Sequence, residues 1–148
     1  MSGVANIQYI PHQQIDKKKW DNCIATGENG LIYGYSFYLD AMTTQWDALV
    51  LNDYETVMPL TWTKKYGISY MYQPFLTAQL GVIRKNITKE QLETFIDLIP
   101  SHFKFVEINL NSGNALAIPA GFFSVRSNYI LKLDKSYKDI YQNYRENI

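Results

Sequence analysis

Apolar and polar positions change their period along the chain, and the changes mark out its elements. "IQYI" at residues 7–10 is a short strand candidate, and Pro11 ends pairing there. Trp20, Cys23 and Ile24 fall on one helical face, and Asp16 is placed to cap that helix, which runs to about Thr26 before "GENG" breaks it. A shorter helix is expected from Ser36, as its N-cap, to about Thr43, with Phe37, Leu39 and Met42 among its apolar residues. From Trp46 the pattern becomes extended. "WDALVL", the turn "NDYE", "TVMPLTWT", the turn "KKYG" and "ISYMYQ" read as an antiparallel meander, from about Trp46 to Gln73. Pro59 has no N–H to give, so its strand must carry a bulge or lie at an edge there.

Helical spacing returns after "VIRKN". Thr88 and Gln91 stand as a capping box, Leu92, Phe95, Ile96 and Ile99 form an inward stripe, and Pro100 stops the helix. "FKFVEINL" and "SVRSNYILKL" read as two further strands, the second with Val125, Tyr129, Leu131 and Leu133 alternating against Arg126, Asn128 and Lys132. In the final "SYKDIYQNYRENI", Ser136 and Asp139 have capping-box spacing, and Tyr137, Ile140, Tyr141, Tyr144 and Ile148 share one face. That apolar stripe is still running at Ile148, so the chain reads as cut within a helix. Strands grouped in a meander, with helices before and after, imply an α+β fold: a mainly antiparallel sheet with flanking helices. Residues 1–134 read as one domain and 135–148 as the start of a linking helix.

Length and charge narrow the classes. A chain of 148 residues fills one domain of ordinary core. Fourteen basic and fourteen acidic residues cancel, so no strong field gathers DNA or an anionic membrane. The runs Lys17-Lys18-Lys19, Lys64-Lys65 and Arg84-Lys85 read as solvated surface. A single Cys23 makes no internal disulfide, no signal-peptide pattern opens the chain, and no apolar run reaches membrane-span length, so the cytoplasm is the expected compartment.

Catalytic chemistry is sparse. Cys23 shares a helix face with Trp20 and Ile24, which makes it a buried structural thiol rather than a nucleophile. His12 and His102 have no metal-ligand spacing with Cys23 or a carboxylate, and no metal site is expected. Twelve tyrosines, three tryptophans and seven phenylalanines raise aromatics to 15%. Tyr33, Tyr35, Tyr38, Trp46, Trp62, Tyr70 and Tyr72 stand out, and core packing accounts for most of them. Tyr33 and Tyr35, however, precede a helix on a loop, where binding groups gather. Tyr33, Tyr35, Tyr38 and Tyr72, with Gln73 and Gln79 flanking Pro74, are therefore the candidate substrate-binding residues; the catalytic residues stay unassigned.

The element order, with "NGLIYGYSFYLDAM", "WDALVL", "VMPLTW", "ISYMYQPF" and "LGVI", resembles the N-terminal half of the FemAB-like family. Its members join two acyl-CoA N-acyltransferase (GNAT) domains in tandem through a helical segment. The resemblance spans about residues 7–148. It implies a GNAT-like fold and a parent enzyme that transfers acyl or aminoacyl groups to amines, from acyl-CoA or aminoacyl-tRNA. "PFLTAQLGVIRKNIT" departs from the family's glycine-rich pyrophosphate turn, with Gly81 alone. The resemblance therefore implies an acceptor-side half, inactive alone, with no cofactor of its own and with the donor on an absent C-terminal GNAT-like domain. Without that domain, the terminal helix is expected either to fray beyond about Tyr144 or to pack against a second copy in a symmetric homodimer. The alternative is a non-catalytic binding or assembly module that offers its aromatic face to a partner.

Overall fold

The computed structural model describes residues 6–84, 87–117, 123–127, 129 and 133–142. It is an α+β structure. Strand β1 (Ile7–Ile10) is followed by helices α1 (Lys17–Thr26) and α2 (Ser36–Met42), then by β2 (Gln45–Leu51), β3 (Thr56–Lys65) and β4 (Ile68–Met71). Helix α3 (Lys89–Asp97) leads to β5 (Phe103–Val106), and α4 spans Tyr137–Gln142. The chain divides into two compact units, Met1–Ile118 and Pro119–Ile148; the first holds the sheet and the second holds α4.

The sheet runs β1-β2-β3-β4-β5 in space as in sequence. The first three pairings are antiparallel, and the last is parallel. A parallel neighbour needs a crossover, and α3 supplies it between β4 and β5. Strand β2 is buried at every position after Gln45 because both faces of the sheet are covered. Trp46, Ala48 and Val50 face one cluster with Trp20, Ile24 and Leu39, while Leu49 and Leu51 face the other with Leu92, Phe95 and Phe103. The sheet thus lies between a layer of α1 and α2 and a layer of α3.

Local chemistry fixes the element ends. The Asp16 carboxylate accepts from the Lys18 and Lys19 N–H groups, and the Thr88/Gln91 capping box is complete. Tyr66 (φ 52°) and Gly67 (φ 80°) both have positive φ, as a tight two-residue hairpin between β3 and β4 requires. At α2 the expected cap is corrected. Tyr35 occupies the N-cap without a side-chain bond, and Ser36 is already helical. Its N–H and hydroxyl both donate to the Asp21 carboxylate, at 2.7 and 2.8 Å, so α1 caps α2 across the tertiary structure.

Two other expectations change, and a third is resolved. Pro59 pairs with Ala48 in an unbroken β2–β3 register, so of the two expected arrangements the local edge holds and the bulge does not. Its nitrogen is tolerated because the other side of β3 is locally open. Val57 exchanges backbone bonds with Ile83, the Thr61 carbonyl accepts from Tyr72, and Pro59 lies between these two contacts. "FKFVEINL" shortens to Phe103–Val106, with one further bridge at Leu110. In "SVRSNYILKL" none of the described residues, 124–127, 129 and 133, is in a strand; 128 and 130–132 lie outside the described residues. In the second unit, the Ser136 hydroxyl accepts from the Asp139 N–H (3.3 Å) and donates to its carboxylate (2.6 Å). Tyr137 and Tyr141 stack at 5.9 Å, while Tyr144 and Ile148 lie outside the described residues.

Candidate functional site

Strand β4 is the interrupted element of the sheet. After Met71 the chain leaves the strand line, and it rejoins at Leu80, which bridges Leu110, and at Ile83, which bridges Val57. Residues 72–79 form the intervening loop, and side chains fix it on both sides. Gln73 Nε2 donates to the Thr77 carbonyl (2.8 Å) and Gln73 Oε1 accepts from Asn109 N–H (3.0 Å). Gln79 Oε1 accepts from Ser112 N–H (3.1 Å). From α2, the Tyr38 hydroxyl donates to the Leu76 carbonyl (2.7 Å), and the Tyr72 hydroxyl accepts from Thr44 N–H (3.4 Å).

Five of the six candidate residues therefore lie in or against this loop: Tyr72, Gln73 and Gln79 within it, Tyr38 bonded to it, and Tyr33 edge-on against Tyr38 at 5.5 Å between centroids. Tyr35 instead packs with Phe37 (5.7 Å) and against the α1/α2 core, and Gln79 ties the loop's far end to Ser112. Both glutamine carboxamide oxygens already hold backbone donors, so these two side chains shape the site. What the loop presents outward is apolar: Phe75 is 82% and Leu76 68% exposed, and Phe37 of α2 is 58% exposed. Of the remaining aromatic residues, Trp46 is buried against Trp20 (5.0 Å), Trp62 meets Phe103 (5.8 Å), and Tyr70 meets Tyr72 (6.3 Å).

Two carboxylates that sequence reasoning passed over, Asp47 of β2 and Asp40 of α2, organise the start of β2. Asp47 is 5% exposed. Its Oδ2 accepts from the Tyr9 hydroxyl (2.7 Å) and Trp62 Nε1 (2.6 Å), and its Oδ1 accepts from His12 N–H (2.9 Å). Burial first, and then the Asp47 carboxylate, push the Tyr9 hydroxyl well above the ordinary tyrosine range. On the opposite face, Asp40 accepts from Lys17 Nζ (2.6 Å) and Trp46 Nε1 (3.0 Å) and meets His12 Nε2 (3.0 Å). Burial alone would raise its carboxyl, but these partners outweigh burial and hold it below the usual range. The sequence did carry a sign of the first: Asp47 is the single charge in "WDALVL". Cys23 is buried, as expected, and burial pushes its thiol up to about 11, against an opposing pull from Arg84.

A pyrophosphate cradle would need free backbone N–H groups between Gly81 and α3. Val82 N–H donates to Asn114 Oδ1 (2.9 Å), Ile83 N–H to the Val57 carbonyl (2.8 Å) and Arg84 N–H to Asn29 Oδ1 (2.9 Å). Gly81 (φ 88°) is packed, not open, since a Cβ there would overlap Asn114 Oδ1. At α3 the Gln91 side chain accepts from Thr88 N–H (3.2 Å). Backbone and Thr88 hydrogen bonds hold the Glu90 carboxyl below its usual range, so an anion already occupies that first turn. Among the described residues, these groups do not fit a pyrophosphate.

No group of three or more His, Cys, Asp or Glu among the described residues could hold a metal ion, and no described helix is long and apolar enough to cross a membrane. Comparison with family models, curated protein sequences and solved structures finds no match to this chain.

Proposed function

We propose that this chain is the acceptor-side, GNAT-like domain of a FemAB-like transferase that moves an acyl or aminoacyl group onto an amine. The observation that carries the reading is the strand arrangement. Two helices separate β1 from an antiparallel β2-β3-β4 meander, and α3 then returns the chain to a β5 parallel to β4. That is the element order the GNAT resemblance implies. The engaged N–H groups of Val82, Ile83 and Arg84 support placing the donor, acyl-CoA or aminoacyl-tRNA, on a second GNAT-like domain. The loop of residues 72–79, with Tyr33, Tyr38 and Tyr72, is then one wall of the acceptor cleft. Where no second domain is present, a second copy of the chain closes on the Tyr137 face of α4, and Ile140→Lys returns a monomer by light scattering.

The test is a pair of titrations followed by amide NMR. A short peptide with a free lysine amine is expected to shift Tyr33, Tyr38, Tyr72 and Gln73, and acetyl-CoA to shift none of the chain. Micromolar binding of acetyl-CoA would overturn the donor placement, and silence toward amines would overturn the acceptor role. A second reading, a non-catalytic docking module, draws on the exposure of Phe37, Phe75 and Leu76. It predicts that Phe75→Ser with Leu76→Ser abolishes capture of a protein partner while amine titrations stay silent.

A further inference from the structure

A groove of about 780 Å³ lies between the C-terminal half of α1 and the β2–β3 turn, lined by Asn22, Cys23, Thr26, Asp53, Glu55 and Arg84 among others. It includes none of the aromatic and glutamine residues named for the transferase reading, and it stands independently of that reading. Its volume falls in the range of small-molecule sites, roughly 300–1,000 Å³. We propose that this groove binds a small zwitterion of the free amino acid class, with the ligand carboxylate on Arg84 and its ammonium toward Glu55 and Asp53.

Charge on the two walls argues for a ligand with both signs. Arg84 is half-buried, its backbone is fixed by Asn29, and its guanidinium makes no ion pair or hydrogen bond among the described residues. A planar guanidinium with its donors unused matches a carboxylate in a two-point contact. The facing wall has the opposite character. Asp53 gives one carboxylate oxygen to Lys19 (2.6 Å) and Glu55 gives one to Asn52 Nδ2 (2.9 Å), which leaves each with a second oxygen. The C-terminal end of α1, at Thr26 and Gly27, adds the negative pole of the helix.

A simple anion would meet that negative wall, and a simple cation would meet Arg84. The turn that brings the acids forward is held in place. Asn52 (φ 52°) and Tyr54 (φ 62°) both take the left-handed conformation, uncommon for a tyrosine, and the Tyr54 hydroxyl accepts from Asp16 N–H (2.8 Å). The Cys23 thiol, protonated at neutral pH, contributes a neutral, unreactive part of the lining.

The test is amide NMR titration of the full chain with L-alanine, L-leucine and L-phenylalanine, and with propionate and ethylamine as single-charge controls. At least one amino acid is expected to shift Thr26, Gly27, Glu55 and Arg84 together and to saturate at about 1 mM or below, a two-ion clamp of ordinary strength. The controls are expected to bind about tenfold more weakly or worse, since each lacks one charge-assisted contact. Arg84→Ala and Glu55→Gln each weaken binding by about tenfold or more, and Arg84→Lys, which keeps the charge without the fork, recovers part of the loss. Dispersed spectra identify variants that remain folded. Propionate binding as well as the amino acids would make this a plain carboxylate site and overturn the proposal, as would no saturation by any of the three amino acids at about 50 mM.

Discussion

Replacing Asp47 is the sharpest test of how this domain is held together. The carboxylate receives three hydrogen bonds at 5% exposure, from Tyr9, Trp62 and the His12 backbone. In Asp47→Asn the carboxamide oxygen can serve Tyr9 and Trp62, but its NH₂ then faces the His12 N–H, donor against donor. Flipped, it serves His12 and faces the Trp62 Nε1–H instead. One rigid donor loses its acceptor either way, at a cost of about 1–3 kcal/mol. In Asp47→Ala, both the Trp62 and the His12 donors are left without an acceptor, while the partly exposed Tyr9 hydroxyl can turn to water, so the cost is about 2–6 kcal/mol. Against a total stability of about 5–15 kcal/mol, the alanine variant sits near the edge of folding.

Urea unfolding with an unchanged m-value measures both costs. Because Trp62→Phe also removes ring volume, a double-mutant cycle with Asp47→Ala, which removes the acceptor altogether, isolates the Trp62–Asp47 contact. A coupling of about 1 kcal/mol or more is expected. If Asp47→Asn stays within about 0.5 kcal/mol of wild type, or the two changes simply add, the carboxylate is not the hub that the geometry describes.

Four further outcomes follow from other parts of the molecule. Tyr9 keeps its proton above the pH where the unfolded chain releases it, so its contribution is complete below about pH 10 and is lost as pH rises beyond that; the stability of Tyr9→Phe should therefore fall less steeply than wild type between about pH 9 and 11.5. Cys23, raised to about 11 and buried, should leave a disulfide reagent unreacted in the folded protein at pH 8 and react at once on unfolding. Gly81→Ala must hold φ 88° with a Cβ against Asn114, and a loss of about 2–4 kcal/mol in chemical denaturation is expected. Thr88→Ala removes the α3 cap and should cost about 1 kcal/mol by the same assay, with Gln91→Ala smaller.

Elements governed by neighbours in sequence were legible; contacts that join distant segments were not. Asp16 and Thr88 cap their helices because a cap needs only the next three residues, and the meander followed from its turns and period. Ser36 misled because the acceptor near α2 is Asp21, fifteen residues back on another helix. Strand β5 came out short and parallel because its register is set by β4 beyond the intervening α3, and an apolar run does not encode which edge it joins.

The site divides in the same way. Tyrosines crowded near residues 33–38 and 72 were visible as a surplus, and five of the six candidates do lie in or against the loop of residues 72–79. What the pattern could not show is that Gln73 and Gln79 spend their oxygens on Asn109 and Ser112, more than thirty residues away. The same holds for Asn29, Asn111 and Asn114. Scattered in sequence, they converge on the Val82 carbonyl, which accepts at 2.8, 3.2 and 2.8 Å. Three neutral amides on one carbonyl have no local signature. They lock the returning segment of β4 beside Gly81 and, through Asn29, also fix the backbone of Arg84. The fold therefore determines where that arginine stands, and Asn29→Ala should weaken amino acid binding in the groove with no change to any lining side chain. Unchanged affinity in a folded Asn29→Ala would show that Arg84 is placed by other contacts.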